Sequence, residues 1–194
     1  MAEWKLFDKP RAHDEAFYRD IVLADHINQP THAQRIYIAA GYAAWQVRFR
    51  GLLSVADFGA GNGGLLRVLG KLIDDSVPMW GYDLLPANVE DAHEKGTDVK
   101  YCNFLTGDVR WADLVIVTEV LEHLIDPAGF LKRVPTGTRV LATVPGGENA
   151  GHHYRDHLWA WDHRGFCDLF TRSGYEIERH VSVDCIHLVV GVKQ

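Results

Sequence analysis

Val55-Ala56-Asp57-Phe58-Gly59-Ala60-Gly61-Asn62-Gly63-Gly64 is the stretch on which the fold turns. It closes an apolar run that starts at Leu52 and opens a helical pattern running from Gly64 to Ile73. Glycines at a strand-to-helix junction permit positive φ and let backbone N–H groups come close to a ligand. Gly59, Gly61 and Gly64 satisfy G-x-G-x-x-G, so the glycines alone are compatible with a dinucleotide. Asp57 adds a constraint. A carboxylate two residues before the first glycine is awkward beside a pyrophosphate and apt for a cationic or hydrogen-donating ligand.

Outward from this loop, short strand-like runs alternate with helical ones. Residues 78–82 read as a strand, 86–95 as a helix and 99–104 as a strand, and the unbroken apolar run Leu114 to Val117 reads as a strand buried on both faces. Asp126 and Pro127 suit the N-cap and first residue of a helix reaching Val134. Residues 139–144 then read as a strand, 161–172 as a helix, and 175–181 and 186–192 as closing strands. The alternation predicts an α/β fold with a doubly wound, mostly parallel seven-stranded sheet. Upstream, helical spacing over 14–26 and again over 31–48, with Thr31 as a candidate N-cap, predicts a helical extension or lid over residues 1–50 before a domain over 51–194.

Composition narrows the function classes. The 194 residues are 47% hydrophobic and 24% charged, enough apolar material for one folded domain with its extension. Twenty Lys+Arg against 26 Asp+Glu leave a formal charge of -6, so nucleic acid is disfavoured as a partner unless a local patch such as Arg155, Arg164 and Arg172 offsets the field. Cys102, Cys167 and Cys185 are odd in number and form no C-x-x-C pair, which argues against a disulfide framework and for a cytoplasmic location. The N-terminus lacks a signal pattern and no apolar run approaches the roughly 18 residues of a membrane span, so no membrane partner is expected. Oligomeric state is not encoded in these features.

With Asp83 in Trp80-Gly81-Tyr82-Asp83 at the end of the second strand, the D-x-G-x-G-x-G form of the loop resembles the class I S-adenosylmethionine-dependent methyltransferases, over roughly residues 52–192. The resemblance implies a Rossmann-like methyltransferase fold and S-adenosylmethionine as cofactor. It places Gly59, Ala60, Gly61 and Gly63 under the amino-acid part of the cofactor and Asp57 on its amino group. It places Asp83, with Leu84 beside it, at the ribose. Asn103, in Tyr101-Cys102-Asn103-Phe104, stands where relatives often carry an Asp for the adenine amine, and an Asn carbonyl can accept from the same donor. Phe104 would stack on the adenine. An ordinary βα turn and surface caps are the alternative readings of these residues.

A second segment, Thr118-Glu119-Val120-Leu121-Glu122-His123-Leu124-Ile125-Asp126-Pro127, puts Glu119, Glu122 and His123 on one face if it turns helically. The string resembles the ubiquinone-biosynthesis O-methyltransferases. It also resembles the small-RNA 3′-terminal 2′-O-methyltransferases, in which two Glu and the His bind a divalent metal and a further His comes from a segment of the form D-H-x-F-E-W. Asp156-His157-Leu158-Trp159-Ala160-Trp161 matches that form at Asp156, His157 and Trp161 and departs from it at Trp159 and Ala160. The resemblance thus implies Glu119, Glu122, His123 and His157 as ligands of Mg²⁺ or Mn²⁺, an ion that lowers the pKa of an acceptor hydroxyl. Without a metal, Glu119 would serve the cofactor and His123 would be the general base.

The chain has eleven histidines, and of the clustered ones only His157 gains a role this way. His152 and His153 follow the Pro145-Gly146-Gly147 loop and read as substrate-facing or solvated, and His163 as a helix start. Trp4, Phe7, Phe17, Tyr18, Tyr154 and Trp159 are aromatic residues for closing over a substrate or for packing. The function the resemblance implies is methylation of a small-molecule acceptor from S-adenosylmethionine, on oxygen first and on nitrogen or carbon as alternatives, with or without the assistance of a metal. Methylation of an RNA 3′-terminal 2′-OH and a non-catalytic S-adenosylmethionine-binding scaffold are the alternatives. An NAD-dependent oxidoreductase would lack its Tyr-x-x-x-Lys pair and a second substrate domain.

Overall fold

The computed structural model describes residues 2–6, 30–183 and 186–194, with Pro30 and Thr31 described by their backbone alone. The helix expected over 14–26, together with Phe7, Phe17, Tyr18 and Cys185, lies outside the described residues. In chain order the elements are β1 (Glu3–Lys5), α1 (Pro30–Arg50), β2 (Val55–Phe58), α2 (Gly64–Gly70), β3 (Met79–Asp83), α3 (Pro86–Glu94), β4 (Val99–Tyr101) and β5 (Leu114–Thr118). A single 3₁₀ turn (Leu121–His123) follows, then α4 (Pro127–Arg133), β6 (Arg139–Pro145), β7 (Trp159–Trp161), α5 (His163–Arg172), β8 (Tyr175–Val183) and β9 (Ile186–Lys193). The main sheet has seven strands in the order β4-β3-β2-β5-β6-β9-β8. The chain divides into two compact units, one of Asp14–Ile116 and one of Met1–His13 with Val117–Gln194.

In the unit Asp14–Ile116 the strands run parallel. Val55 lies opposite Met79 and Leu114, Asp57 opposite Gly81 and Ile116, and Gly81 opposite Val99. Every residue of β2 is buried, as its near-continuous apolar run requires of a parallel strand covered on both faces. Ala60, Leu66, Val89, Ala92 and Val99 pack together beside Met79, so the loop after β2 is sealed against α3 and β4. Pro86 starts α3, where its missing N–H costs nothing.

Gly81 is needed there for room rather than for φ. A Cβ at this position would lie 2.5 Å from the Ala60 Cβ and 3.2 Å from Val99. Gly81→Ala therefore pushes the glycine loop off β3, and we expect it to lower unfolding free energy by about 1–3 kcal/mol, the usual cost of overpacking. Urea melts of the variant check this, and an unchanged midpoint would show that the loop yields freely.

In the other unit, β9 pairs antiparallel with both β6 and β8, with a bulge between Ile177 and Arg179. The closing strands thus form a hairpin, so the sheet is mixed rather than parallel throughout. The core gathers Phe130, Trp161, Phe166, Leu169 and Phe170, all fully buried. Tyr175 buries its ring there and donates its hydroxyl to Leu131 O at 2.8 Å, and burial raises its pKa above the ordinary phenol value. Asp126 and Asp162 cap α4 and α5 by accepting from the N–H groups of Gly129 and Gly165. The Asp162 cap explains why the helix expected from Trp161 begins two residues later. Trp159–Trp161 is instead a strand, paired antiparallel with Glu3–Lys5, and Trp161 Nε1 donates to Glu3 Oε2 at 2.8 Å.

Candidate active site

The candidate cofactor cradle lies wholly within Asp14–Ile116. Gly59, Gly61 and Gly63 have φ of 83°, 53° and 75°, a left-handed run that only glycine adopts without strain. The N–H groups of Gly59 and Ala60 donate to Tyr82 O at 2.8 and 3.0 Å, and Gly61 N–H donates to Asp83 Oδ2 at 2.8 Å. The other oxygen of Asp83 accepts from Leu85 N–H at 2.9 Å and from Asn88 Nδ2 at 3.0 Å. Asp83 is thus locked in place by three protein donors. Leu84 beside it is half-buried.

Asp57 stands in contrast. It is 1% exposed, and its Oδ1 has no hydrogen-bond partner among the described residues. Burial first, and then the Asp83 charge, push its pKa up to about 7. A buried carboxylate in this state is poised for a cationic donor. Asn103 is half-buried, and its Oδ1 accepts from Leu105 N–H at 3.1 Å, an Asx turn that holds the loop after β4. Phe104 is buried and meets Phe58 edge-on, with ring centroids 5.4 Å apart, while Phe58 also stacks on Trp111.

The second cluster lies wholly within the unit that contains Val117–Gln194. Glu122, His123 and His157 each present a ligand atom, and these atoms all lie within 4.8 Å of one another. Glu122 is 1% exposed and His157 is buried. His123 Nδ1 donates to the Asp156 carbonyl at 3.2 Å, and His157 Nδ1 donates to Glu148 Oε2 at 2.6 Å. In the neutral rings those bonds leave the lone pair on Nε2. The backbone draws the two segments together, since Leu158 N–H donates to Glu122 O at 2.7 Å and Leu158 O accepts from Leu6 N–H at 3.0 Å. Burial pulls the Glu148 carboxyl up, but the hydrogen bond and charge of His157 outweigh it and hold the pKa below the ordinary value.

Glu119 is not among the three. The helical turn expected over Glu119–His123 shrinks to Leu121–His123, because Glu119 takes φ 56° and donates its N–H to Thr143 O at 3.0 Å. Its Oε1 accepts from Thr143 Oγ1 at 3.0 Å. A left-handed non-glycine residue costs on the order of 1–3 kcal/mol and is held only where its surroundings demand it.

The methyltransferase-domain family model matches residues 23–179, most of the chain. The chain belongs to this family. It carries a methyltransferase domain. No curated protein matches the sequence of this methyltransferase. Among solved structures it is similar to the mitomycin 7-O-methyltransferase MmcR, at 17% identity and a TM-score of 0.64 over 86% of this chain and 59% of that one. The methyltransferase thus spans about six-tenths of that enzyme's length. It is also similar to magnesium protoporphyrin IX methyltransferase from Synechocystis PCC 6803 with bound S-adenosylmethionine (14% identity, TM-score 0.67, 93% and 95% of the two chains). A third similar structure is the methyltransferase domain of bacterial CtHen1-C (19% identity, TM-score 0.64, 82% and 98%). At these identities the likeness is one of fold. No described helix of the methyltransferase is long and apolar enough to cross a membrane.

The remaining flagged residues disperse. His152 is exposed and His153 half-buried, its Nδ1 bonded to Asn149 O at 3.3 Å. His163 does start α5, and it also meets His180 Nε2 at 2.8 Å, with the His187 ring 6.2 Å away. Burial and then His163 hold the pKa of both His180 and His187 below the ordinary imidazole value. Trp159 packs on Trp161 and donates to Leu124 O at 2.8 Å, whereas Tyr154 is 60% exposed beside the His157 ring. Of the arginine patch, Arg172 is committed to Glu3. Glu148 has no motif to mark it, and its carboxylate's place on a buried histidine is visible only in three dimensions.

Proposed function

We propose that this chain transfers the methyl group of S-adenosylmethionine to an oxygen of a small-molecule acceptor, with Glu122, His123 and His157 as the residues that would hold a divalent cation. The convergence of these three side chains within 4.8 Å carries the reading. One buried carboxylate and two Nε2 lone pairs make a donor set for a divalent ion with positions left for substrate oxygen, and the imidazoles suit Mn²⁺ better than Mg²⁺. When bound, such an ion lowers the pKa of the acceptor hydroxyl.

On the cofactor side, the orphaned Asp57 Oδ1 fits the ammonium of the methionine portion. Asp83, fixed by Gly61, Leu85 and Asn88, is preorganised for the ribose hydroxyls. Ala60, Leu84, Asn103 and Phe104 complete the proposed contacts. In the transfer the methyl–sulfur bond breaks as the methyl–oxygen bond forms, S-adenosylhomocysteine leaves, and the acceptor proton passes to water. The protein's part is mainly orientation.

Calorimetry with S-adenosylhomocysteine against NAD tests the cofactor assignment, and preferential binding of NAD would overturn it. Mass spectrometry of candidate acceptors incubated with cofactor, with Mn²⁺ or with EDTA, tests the reaction. Absence of any methylated product across hydroxylated acceptors would favour the non-catalytic scaffold.

A second reading is favoured by one observation: the Asp156-His157 segment contributes to the cluster, as the resemblance to the 3′-terminal 2′-O-methyltransferases implies. Here the acceptor would be the terminal ribose of an RNA. Gain of periodate resistance by a short RNA would select this reading over the small-molecule one.

A further inference from the structure

Glu148 lies between β6 and β7, outside every motif discussed above, and both of its oxygens are engaged. Oε1 accepts from Tyr154 N–H at 3.1 Å and Oε2 accepts from His157 Nδ1 at 2.6 Å. The side chains of Glu148 and His157 are 15% and 10% exposed, so little water competes for the bond. Between them, Asn149 Oδ1 accepts from the N–H groups of Gly151 and His152, which shapes the chain reversal that returns His157 to Glu148.

We propose that Glu148 is the positioning residue for His157, fixing the ring's orientation and holding it in the tautomer that carries the proton on Nδ1 and the lone pair on Nε2. As a statement about metal binding, this rests on the reading of Glu122, His123 and His157 as ligands. A neutral imidazole has one lone pair, and the hydrogen bond at one nitrogen decides that the other will carry it. His123 has a comparable anchor in the Asp156 carbonyl, at the longer distance of 3.2 Å. A carboxylate is the stronger acceptor, so His157 is the more firmly set of the two rings. The rings themselves meet edge-on, with centroids 4.8 Å apart at 81°, so neither can rotate without moving against the other. Glu148 reaches the cluster through His157, and its grip on Tyr154 N–H ties the intervening loop to the same carboxylate.

Long-range ¹H–¹⁵N NMR on the metal-free full chain reads the His157 tautomer directly. The wild type is expected to show Nδ1–H. Glu148→Ala should shift His157 toward Nε2–H, the form that dominates for an imidazole without a directing partner. Glu148→Gln retains an oxygen acceptor and should keep Nδ1–H. Mn²⁺ titration by calorimetry should then show a loss of about 10- to 100-fold in affinity for Glu148→Ala and a smaller loss for Glu148→Gln.

Nε2–H in the wild type, or Nδ1–H unchanged in Glu148→Ala, overturns the proposal. Wild-type affinity for Mn²⁺ in Glu148→Ala does so as well. If the wild type binds no Mn²⁺, the ligand reading fails by itself, and the tautomer measurements decide Glu148's role. The wild-type tautomer needs no variant to fold, so the proposal stays exposed to refutation if Glu148→Ala does not.

Discussion

Asp57→Asn is expected to stabilise the ligand-free methyltransferase above pH 7 and to remove most of its affinity for S-adenosylhomocysteine. Asp57 is fully enclosed, its Oδ1 has no partner among the described residues, and burial with the nearby Asp83 charge pushes its pKa up to about 7. The folded value therefore exceeds the ordinary carboxyl value of 3.8, and the folded chain holds a proton that the unfolded chain has released between those two pH values. Stability from this group is complete below about pH 4 and is lost as pH rises through about 7. Roughly three pH units at about 1.4 kcal/mol each set an upper bound near 4 kcal/mol. Asn does not ionise, so urea melts of the variant should lose this slope and gain about 2–4 kcal/mol over the wild type at pH 8. The buried amide's own desolvation takes up part of that gain.

Binding runs the other way. The cofactor's ammonium loses its buried anionic partner in Asp57→Asn, a loss worth about 3 kcal/mol or more, which is at least 100-fold in affinity. In the wild type, affinity should fall up to tenfold per pH unit below 7 as the carboxyl takes up its proton. Calorimetry from pH 5.5 to 8 checks both. An Asp57→Asn variant that binds S-adenosylhomocysteine as the wild type does would take Asp57 out of the cofactor site.

What could be read from the sequence was what depends on near neighbours. Gly59, Gly61 and Gly63 announce themselves because positive φ is a local demand, and Asp126-Pro127 caps a helix by a contact three residues away. Gly81 gave no signal, since its requirement comes from Ala60 on another segment. The spacing of Glu119, Glu122 and His123 suggested a helix, yet Thr143, on β6, draws Glu119 out of helical conformation through both backbone and side chain. The same holds for β1: Glu3–Lys5 is too short to show alternation, and it becomes a strand only because Trp159–Trp161 pairs with it. His163, His180 and His187 meet from three separate elements, a grouping that the apparent cluster at His152, His153, His157 and His163 conceals. Glu148 is the sharpest case, a carboxylate in a glycine-rich loop whose meaning depends wholly on His157.

Removal of one ligand from the metal cluster should separate the three-residue arrangement from the four-residue one that the sequence implied. With Mn²⁺ at 100 times its dissociation constant, the wild type should gain about 2.7 kcal/mol of stability, a rise of roughly 5–11 °C in melting temperature for a chain of this size. Glu122→Gln and His157→Ala should abolish that rise, lower Mn²⁺ affinity at least 100-fold, and reduce methyl transfer to the level of EDTA-treated wild type. Removing a buried ligand leaves the remaining donors without a geometry that can strip water from the ion. Glu119→Gln should behave differently. Its Oε1 is directed to Thr143 Oγ1 and its atoms are not among the three that converge, so the Mn²⁺-dependent rise in melting temperature should persist. Loss of the rise in Glu119→Gln would restore Glu119 to the ligand set. A full rate after EDTA treatment, together with a silent Glu122→Gln, would end the metal reading and leave His123, with its Nε2 lone pair, as the base that takes the acceptor proton.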